Sequence, residues 1–505
     1  MRMEISVRQM METSGVKFGT SGARGLATDM TDLVCHVYTQ GFLQYLRSTQ
    51  ALKQGSAVAI AGDFRPSTGR IMEAVAGAAA DAGYQPVRCG KIPSPAVALY
   101  GLSRGIPAIM VTGSHIPDDR NGIKFNKVEG EILKSDEPGI MDQVVAVHEG
   151  RFDSTGHRIQ RVGSTPHPAG PDLTAAREYT ARYLEAFPGR PLTGLRVGVY
   201  QHSAVGRDFL VEVLEALGAE TVALGRSATF IPVDTEAIRP EDVVLAADWA
   251  RQHEFSAIVS TDGDSDRPLI SDERGVWLRG DVTGVLTAHF LKADSVSTPV
   301  SSNSVVEQCR WFADVRRTRI GSPYVIESLQ TAEKSGRERV VGYEANGGFM
   351  VQTDLTLDGR LLKALPTRDA LLPILSVLLL AKREEKRVSE LVAGLPDRFT
   401  ASDRLKDFPV ERGRTLIARL SGGSAPEIQA AIQQAIGNLV GARVNMVDLT
   451  DGVRAGFENG EIVHLRPSGN APEFRCYTEA SSVERAEALC HAVLARVARG
   501  GVGLS

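Results

Sequence analysis

Short apolar runs, each followed by a polar loop and then a helical period, recur along the first three quarters of this 505-residue chain. Residues 57–61 (Ala-Val-Ala-Ile-Ala) predict a strand and residues 62–67 a loop. An alanine-rich helix then runs through Ala82, Gly83 stops it, and a second strand starts at Pro86. The same order returns at 195–200, 201–206, 207–217 and 221–224, with Gly218 as the stop. It returns again at 296–300, 301–304 and 305–312. Strands that are apolar throughout and alternate with helices belong to parallel sheets covered on both faces. Further strands are expected at 106–111, 255–259 and 339–341, and a helix at 33–46.

From about residue 398 the rhythm changes. A helix (425–436), a strand (443–449), two hairpin-type turns (Asp451-Gly452 and Asn459-Gly460), two more strands (461–465 and 474–478) and a last helix (483–499) predict an antiparallel α+β unit. The fold class expected is α/β: three tandem α/β domains with mixed or parallel sheets, plus a C-terminal α+β domain with an antiparallel sheet, around a central cleft. The Pro/Gly-containing stretch 163–171, the turn at 272–280 and the charged run 382–387 suggest domains at 1–162, 163–278, 279–390 and 391–505.

Composition adds limits. The chain is 43% apolar and 23% charged, as globular proteins are, and 57 basic against 61 acidic residues give −4. Nothing points to nucleic acid, so any anion must be held by local basic groups. Five cysteines without a CxxC or a histidine cluster read as reduced thiols, and a cytoplasmic protein is expected. Residues 1–11 lack the apolar core of a signal peptide. The most apolar segment, 370–381, contains Pro373 and is shorter than the ~20 residues of a membrane span, so it reads as a buried helix.

Four stretches carry chemistry. Val111-Thr112-Gly113-Ser114-His115-Ile116-Pro117 follows an apolar run, and its glycine permits a turn that exposes the Ser114 hydroxyl. Asn121-Gly122-Ile123-Lys124-Phe125 comes just after, with Asn121-Gly122 reading as a turn beside Lys124. Ser260-Thr261-Asp262-Gly263-Asp264-Ser265-Asp266-Arg267 packs three carboxylates so closely that they require a cation, and hard oxygen ligands suit Mg²⁺ or Ca²⁺. It imitates the opening of an EF-hand, but Arg267 stands where the glycine is needed and strands flank it, which excludes that motif. Gly342-Tyr343-Glu344-Ala345-Asn346-Gly347-Gly348 offers an acceptor and an amide to vicinal hydroxyls. Arg466-Pro467-Ser468-Gly469-Asn470-Ala471-Pro472-Glu473-Phe474-Arg475 combines arginine forks with a Ser-Gly turn suited to a phosphate dianion.

These stretches, in this order, resemble the signatures of the phosphohexomutase family, and Phe18-Gly19-Thr20-Ser21-Gly22-Ala23-Arg24-Gly25 resembles its first. The family loop Thr-Ala-Ser-His-Asn-Pro is matched with Gly113 for alanine and Ile116 for asparagine. The metal loop matches throughout. In the sugar loop Asn346 replaces serine and Gly348 replaces histidine, which leaves the acid or base role of that histidine unfilled. In the phosphate loop Asn470 and Ala471 replace threonine and glutamate.

The resemblance implies a phosphoserine at Ser114 that shares one Mg²⁺ with Asp262, Asp264 and Asp266. It implies Arg24 facing the phosphoryl group, Lys124 as a general base of lowered pKa, and His115 as a neighbour. Arg267, Glu344, Asn346, Arg466, Ser468, Gly469, Asn470 and Arg475 would bind substrate. The implied reaction interconverts hexose 1- and 6-phosphates through a hexose 1,6-bisphosphate intermediate or activator. Mannose is the expected sugar, with glucose or glucosamine, a serine phosphatase and a non-catalytic sugar-phosphate binder as alternatives. The partners expected are small hexose phosphates, without nucleic acid or membrane, on a monomer or dimer.

Overall fold

A computed structural model describes residues 2–159, 170–468 and 472–500. Contacts divide the chain into two compact units, one of residues Met1–Val296 and Gly321–Leu391, the other of Ser297–Ile320 and Val392–Ser505.

The first unit holds the first two repeats read from the sequence, and the third, at 296–312, falls almost wholly in the second. One mixed sheet runs in the order Lys17–Phe18, Gly22–Leu26, Arg120–Lys127, Ala108–Val111, Ala57–Gly62, Gln85–Lys91. Its last three strands are parallel and the others antiparallel. Ala108–Val111 is buried at every position, as a central strand with both faces covered must be. The Thr68–Asp81 helix is rich in alanine, and this lets it lie close against Asp32–Ser48. A second sheet places Glu220–Leu224, Arg196–Tyr200 and Ala257–Thr261 in parallel, with Pro268–Ile270 antiparallel at the end. In the third, Val340–Tyr343, Phe349–Val351 and Leu365–Asp369 are antiparallel neighbours. Leu371–Glu384 is the expected buried apolar helix, and Pro373 sits in its first turn, where a missing N–H loses no helical bond.

In the second unit Phe399–Leu405, Phe474–Ala480, Ile462–Pro467, Val453–Phe457 and Val444–Asp448 form one antiparallel sheet. Its core includes Phe457, Val463, Phe474 and Val493, and the Val483–Ala498 helix packs on the sheet. The inserted piece is tied in by Asn303 Nδ2 donating to Arg398 O, Ser304 Oγ to Glu479 Oε2, and Ile320 N–H to Asp451 Oδ2.

Three local expectations differ. The helix expected at 305–312 spans only Val305–Gln308, because Arg310 takes a left-handed φ of 54°. The helix expected at 425–436 is α-helical over Ala425–Ile432 and then widens into a π turn at Gln433–Gly437. There the Gln433 side chain bonds Ala442 O and Val444 N–H. Asn121-Gly122 is not a turn: it lies within the Arg120–Lys127 strand, so Lys124 projects from a sheet.

Candidate active site

Ser114 follows the Ala108–Val111 strand and takes a left-handed φ of 57°, a strained geometry for a residue with a side chain. Two contacts hold it there. Its N–H donates to Thr112 Oγ1 at 2.7 Å, and its carbonyl accepts from Arg65 Nη2 at 2.7 Å. Arg65 is wholly buried and pairs with Asp63 at 3.1 Å. It also donates to the carbonyls of Ile116, Pro117 and Arg120, and it stacks on Phe230. Its guanidinium explains Gly113, since a Cβ there would approach Arg65 Cζ to 2.7 Å.

So held, the Ser114 hydroxyl donates to Asp262 Oδ2 at 2.6 Å. Asp262, Asp264 and Asp266 are fully or nearly fully buried, and one carboxylate oxygen from each lies within 4.8 Å of the other two. The loop that carries them joins two adjacent strands, Ala257–Thr261 and Pro268–Ile270. Asp262 Oδ1 accepts the N–H groups of Asp266 and Arg267, and Ser94 Oγ donates to Asp264 Oδ2 at 2.6 Å. Burial and its two acidic neighbours push the Asp262 carboxyl well up. Asp264 Oδ1 and Asp266 Oδ1 are buried and receive no hydrogen bond. Clustered, unpaired, hard oxygen acceptors are the donor set a Mg²⁺-type ion takes, so the residues fit one.

Cations surround the triplet. Lys124 Nζ lies 2.5 Å from Asp264 Oδ2 and 2.7 Å from Asp266 Oδ2. Burial alone would lower its pKa, but the two carboxylates reverse this and raise it, so the lowered value expected from sequence is corrected. Arg267 Nη1 donates to His115 Nδ1 at 2.9 Å, and its Nε lies 3.9 Å from Asp262 and 3.7 Å from Asp266. Because a guanidinium only donates, His115 Nδ1 must be the bare nitrogen. Burial and then Arg267 push the His115 pKa down to about 3, and its other nitrogen lies 4.0 Å from Asp234. Arg24 lies opposite Gly122 in the sheet, and its guanidinium makes no side-chain hydrogen bond or ion pair among the described residues. Burial, followed by Arg267, lowers it to about 10.

Glu344 and Asn346 are buried in the turn after Val340–Tyr343, and Asn346 Oδ1 accepts the Gly348 N–H. Arg368 joins Glu344, at 3.3 Å, to Asp266, at 3.1 Å. The structure thus brings Ser114, His115, Lys124, the three aspartates, Arg267 and Glu344 into one continuous network of contacts. In the second unit Arg466 pairs with Asp451 at 3.3 Å, Ser468 N–H donates to Glu473 O, and Arg475 pairs with Glu473 at 3.1 Å. Gly469 and Asn470 lie outside the described residues.

Sequence reasoning missed Arg65, Ser94, Asp234 and Arg368. Arg65 sat unremarked in the loop predicted at 62–67. Arg368 belongs to a charged Arg-Asp pair just before a largely apolar helix, a visible anomaly. Ser94 and Asp234 carried no such signal.

Four models of the phosphoglucomutase/phosphomannomutase family match in succession. They are its alpha/beta/alpha domains I at residues 15–150, II at 178–275 and III at 279–399, and its C-terminal domain at 424–496. The chain belongs to this family, and it is a hexose phosphate mutase. It is 43% identical over 491 residues to a phosphomannomutase of Salmonella muenchen, covering 97% of each chain. It is 42% identical to one of Sinorhizobium fredii, covering 94% of this chain and 97% of the other. A crystal structure of a phosphoglucomutase/phosphomannomutase family protein from Burkholderia thailandensis shares the fold, with TM-score 0.71, 20% identity and coverage of 95% and 97%. Among the described residues, no helix is long and apolar enough to cross a membrane.

Proposed function

We propose that this enzyme interconverts mannose 1-phosphate and mannose 6-phosphate, accepting glucose phosphates as well, with Ser114 as the phosphoryl carrier. The observation that carries this reading is the 2.6 Å contact between the Ser114 hydroxyl and Asp262 of the buried acidic triplet. The names of the two relatives above 40% identity support mannose. A Mg²⁺ ion held by Asp262, Asp264, Asp266 and the phosphorylated Ser114 would neutralise charge on the transferring group.

Phosphoryl transfer asks the protein for alignment and positive charge. Arg24, without an ion-pair partner among the described residues, is placed to face the phosphoryl oxygens. Lys124 enters as an ammonium, held charged by Asp264 and Asp266. To serve as a base toward the incoming hydroxyl it must first give up a proton, a loss that Asp264 and Asp266 oppose. His115, kept neutral by burial and then by Arg267, orients that arginine and does not move a proton. Glu344 and Asn346 hold two vicinal hydroxyls of the ring. These exchange places when the 1,6-bisphosphate intermediate turns over, so discrimination at the 2-hydroxyl is weak. Arg466, Ser468, Gly469, Asn470 and Arg475 are proposed to grip the phosphate that is not being transferred. Cytoplasmic location and domains bounded at 162, 278 and 390 complete the reading.

The test is an isomerisation assay on mannose 1-phosphate, glucose 1-phosphate and glucosamine 1-phosphate, with mass spectrometry of the Ser114 peptide. Turnover should be highest on mannose, require Mg²⁺ after chelation, and fall at least ~10³-fold in Ser114→Ala. Unchanged isomerisation by that variant would end the carrier assignment.

A further inference from the structure

Gly348 is small for a reason that lies on a neighbouring strand, Leu365–Asp369. A Cβ at 348 would sit 2.8 Å from both Cγ and Cδ of Arg368, so the volume a side chain would take is filled by that arginine. Arg368 is 3% exposed, and its fork reaches two loops at once. Nη2 lies 3.1 Å from Asp266 Oδ2, and Nη1 donates to Glu344 Oε2 at 3.3 Å. Among the described residues it is the only hydrogen-bond donor to the Glu344 carboxylate.

Strand geometry aims it. Arg368 and Asp369, neighbours at the end of Leu365–Asp369, point to opposite faces. Asp369 faces the Thr174–Ala186 helix, accepting from the Tyr179 hydroxyl at 2.7 Å, from the Tyr183 hydroxyl and from Leu371 N–H. Arg368 is thereby presented on the other side, toward the metal loop.

We propose that Arg368 is a positioning residue for the mutase reaction. It ties the Glu344 carboxylate to Asp266, and its stem replaces a side chain at 348. The inference rests on the reading of Glu344 as a sugar ligand given above. A sugar that must be held in two orientations needs a carboxylate that does not follow it. Glu344 fastened to the loop beside the phosphoryl group keeps one register for both half-reactions. A planar fork can hold two carboxylates in fixed geometry, whereas an ammonium acts as a point charge.

The experiment is a two-by-two cycle of Arg368→Met and Glu344→Gln, with kcat and KM measured on mannose 1-phosphate. Binding of mannose 1-phosphate is measured separately by calorimetry in a Ser114→Ala background. Each single change should lower kcat/KM at least ~10-fold, and the double should lie within ~3-fold of the worse single. Calorimetry should show the same non-additivity. Gly348→Ala should be costly beside Arg368 and silent in Arg368→Ala. Thermal midpoints report folding, and if the Met variant does not fold, Arg368→Lys replaces it in the cycle. Additive effects, or a Gly348→Ala cost equal in both backgrounds, would overturn the inference. In that case a wild type that still isomerises through Ser114 leaves the functional reading standing. A wild type that does not isomerise sinks that reading instead.

Discussion

Arg65 does more for the site than its anonymity in the sequence suggests. It neutralises Asp63, binds four carbonyls around Ser114 and fills the space over Gly113, all without exposure to solvent. Arg65→Ala should cost about 3–5 kcal/mol, read from urea unfolding, because Asp63 would be left buried and uncompensated. Ser114 and the aspartates were legible because their chemistry is contiguous in the chain. Arg65, Ser94 and Arg368 were not, because each reaches the site through tertiary structure. The lowered pKa expected for Lys124 failed for the same reason, since two carboxylates distant in sequence hold its charge.

Histidines give a second prediction at this scale. His36 and His464 are buried, and burial lowers each to about 4. Above the ordinary value near 6.5 both states are neutral and the contribution to stability is complete. As pH falls below 6.5 the unfolded chain takes up protons that the folded one refuses. Stability should then drop by about 1.4 kcal/mol per pH unit per histidine until pH passes about 4. Urea midpoints across pH 7 to 4 check this, and replacing either histidine by leucine should flatten the slope.

At the scale of elements, the repeated strand-loop-helix pattern and the apolar helix Leu371–Glu384 could be read directly from periodicity. The strand Arg120–Lys127 could not, since Asn-Gly advertises a turn and only pairing with Gly22–Leu26 and Ala108–Val111 overrides it. The short Val305–Gln308 helix was misjudged because nothing local announces the left-handed Arg310. The contact of Tyr179 and Tyr183 with Asp369 is the element-scale device worth testing. Tyr179→Phe and Tyr183→Phe should each destabilise by about 1–3 kcal/mol in denaturant titrations, since each leaves a buried carboxylate short of a donor. The double variant should also weaken catalysis, because Asp369 sets the direction in which Arg368 points.

For the whole molecule, the four larger sheets could be read from the sequence, mixed or parallel in the first three quarters and antiparallel in the last, but not that each unit is assembled from two separated pieces. Helical and strand periods are local, whereas the return of residues 297–320 to a partner beyond 391 leaves no periodic trace. A chain ending at 391 should therefore leave 297–320 without Arg398, Asp451 and Glu479, and should form larger species in gel filtration than the full chain forms. During synthesis the same arrangement imposes a delay. At ~5–20 residues per second the ribosome needs roughly 4–14 s to add residues 321–391. Throughout that interval the 297–320 stretch waits without Arg398, Asp451 and Glu479, its hydrogen-bond partners beyond 391, a window in which a chaperone or a neighbouring nascent chain can reach it first.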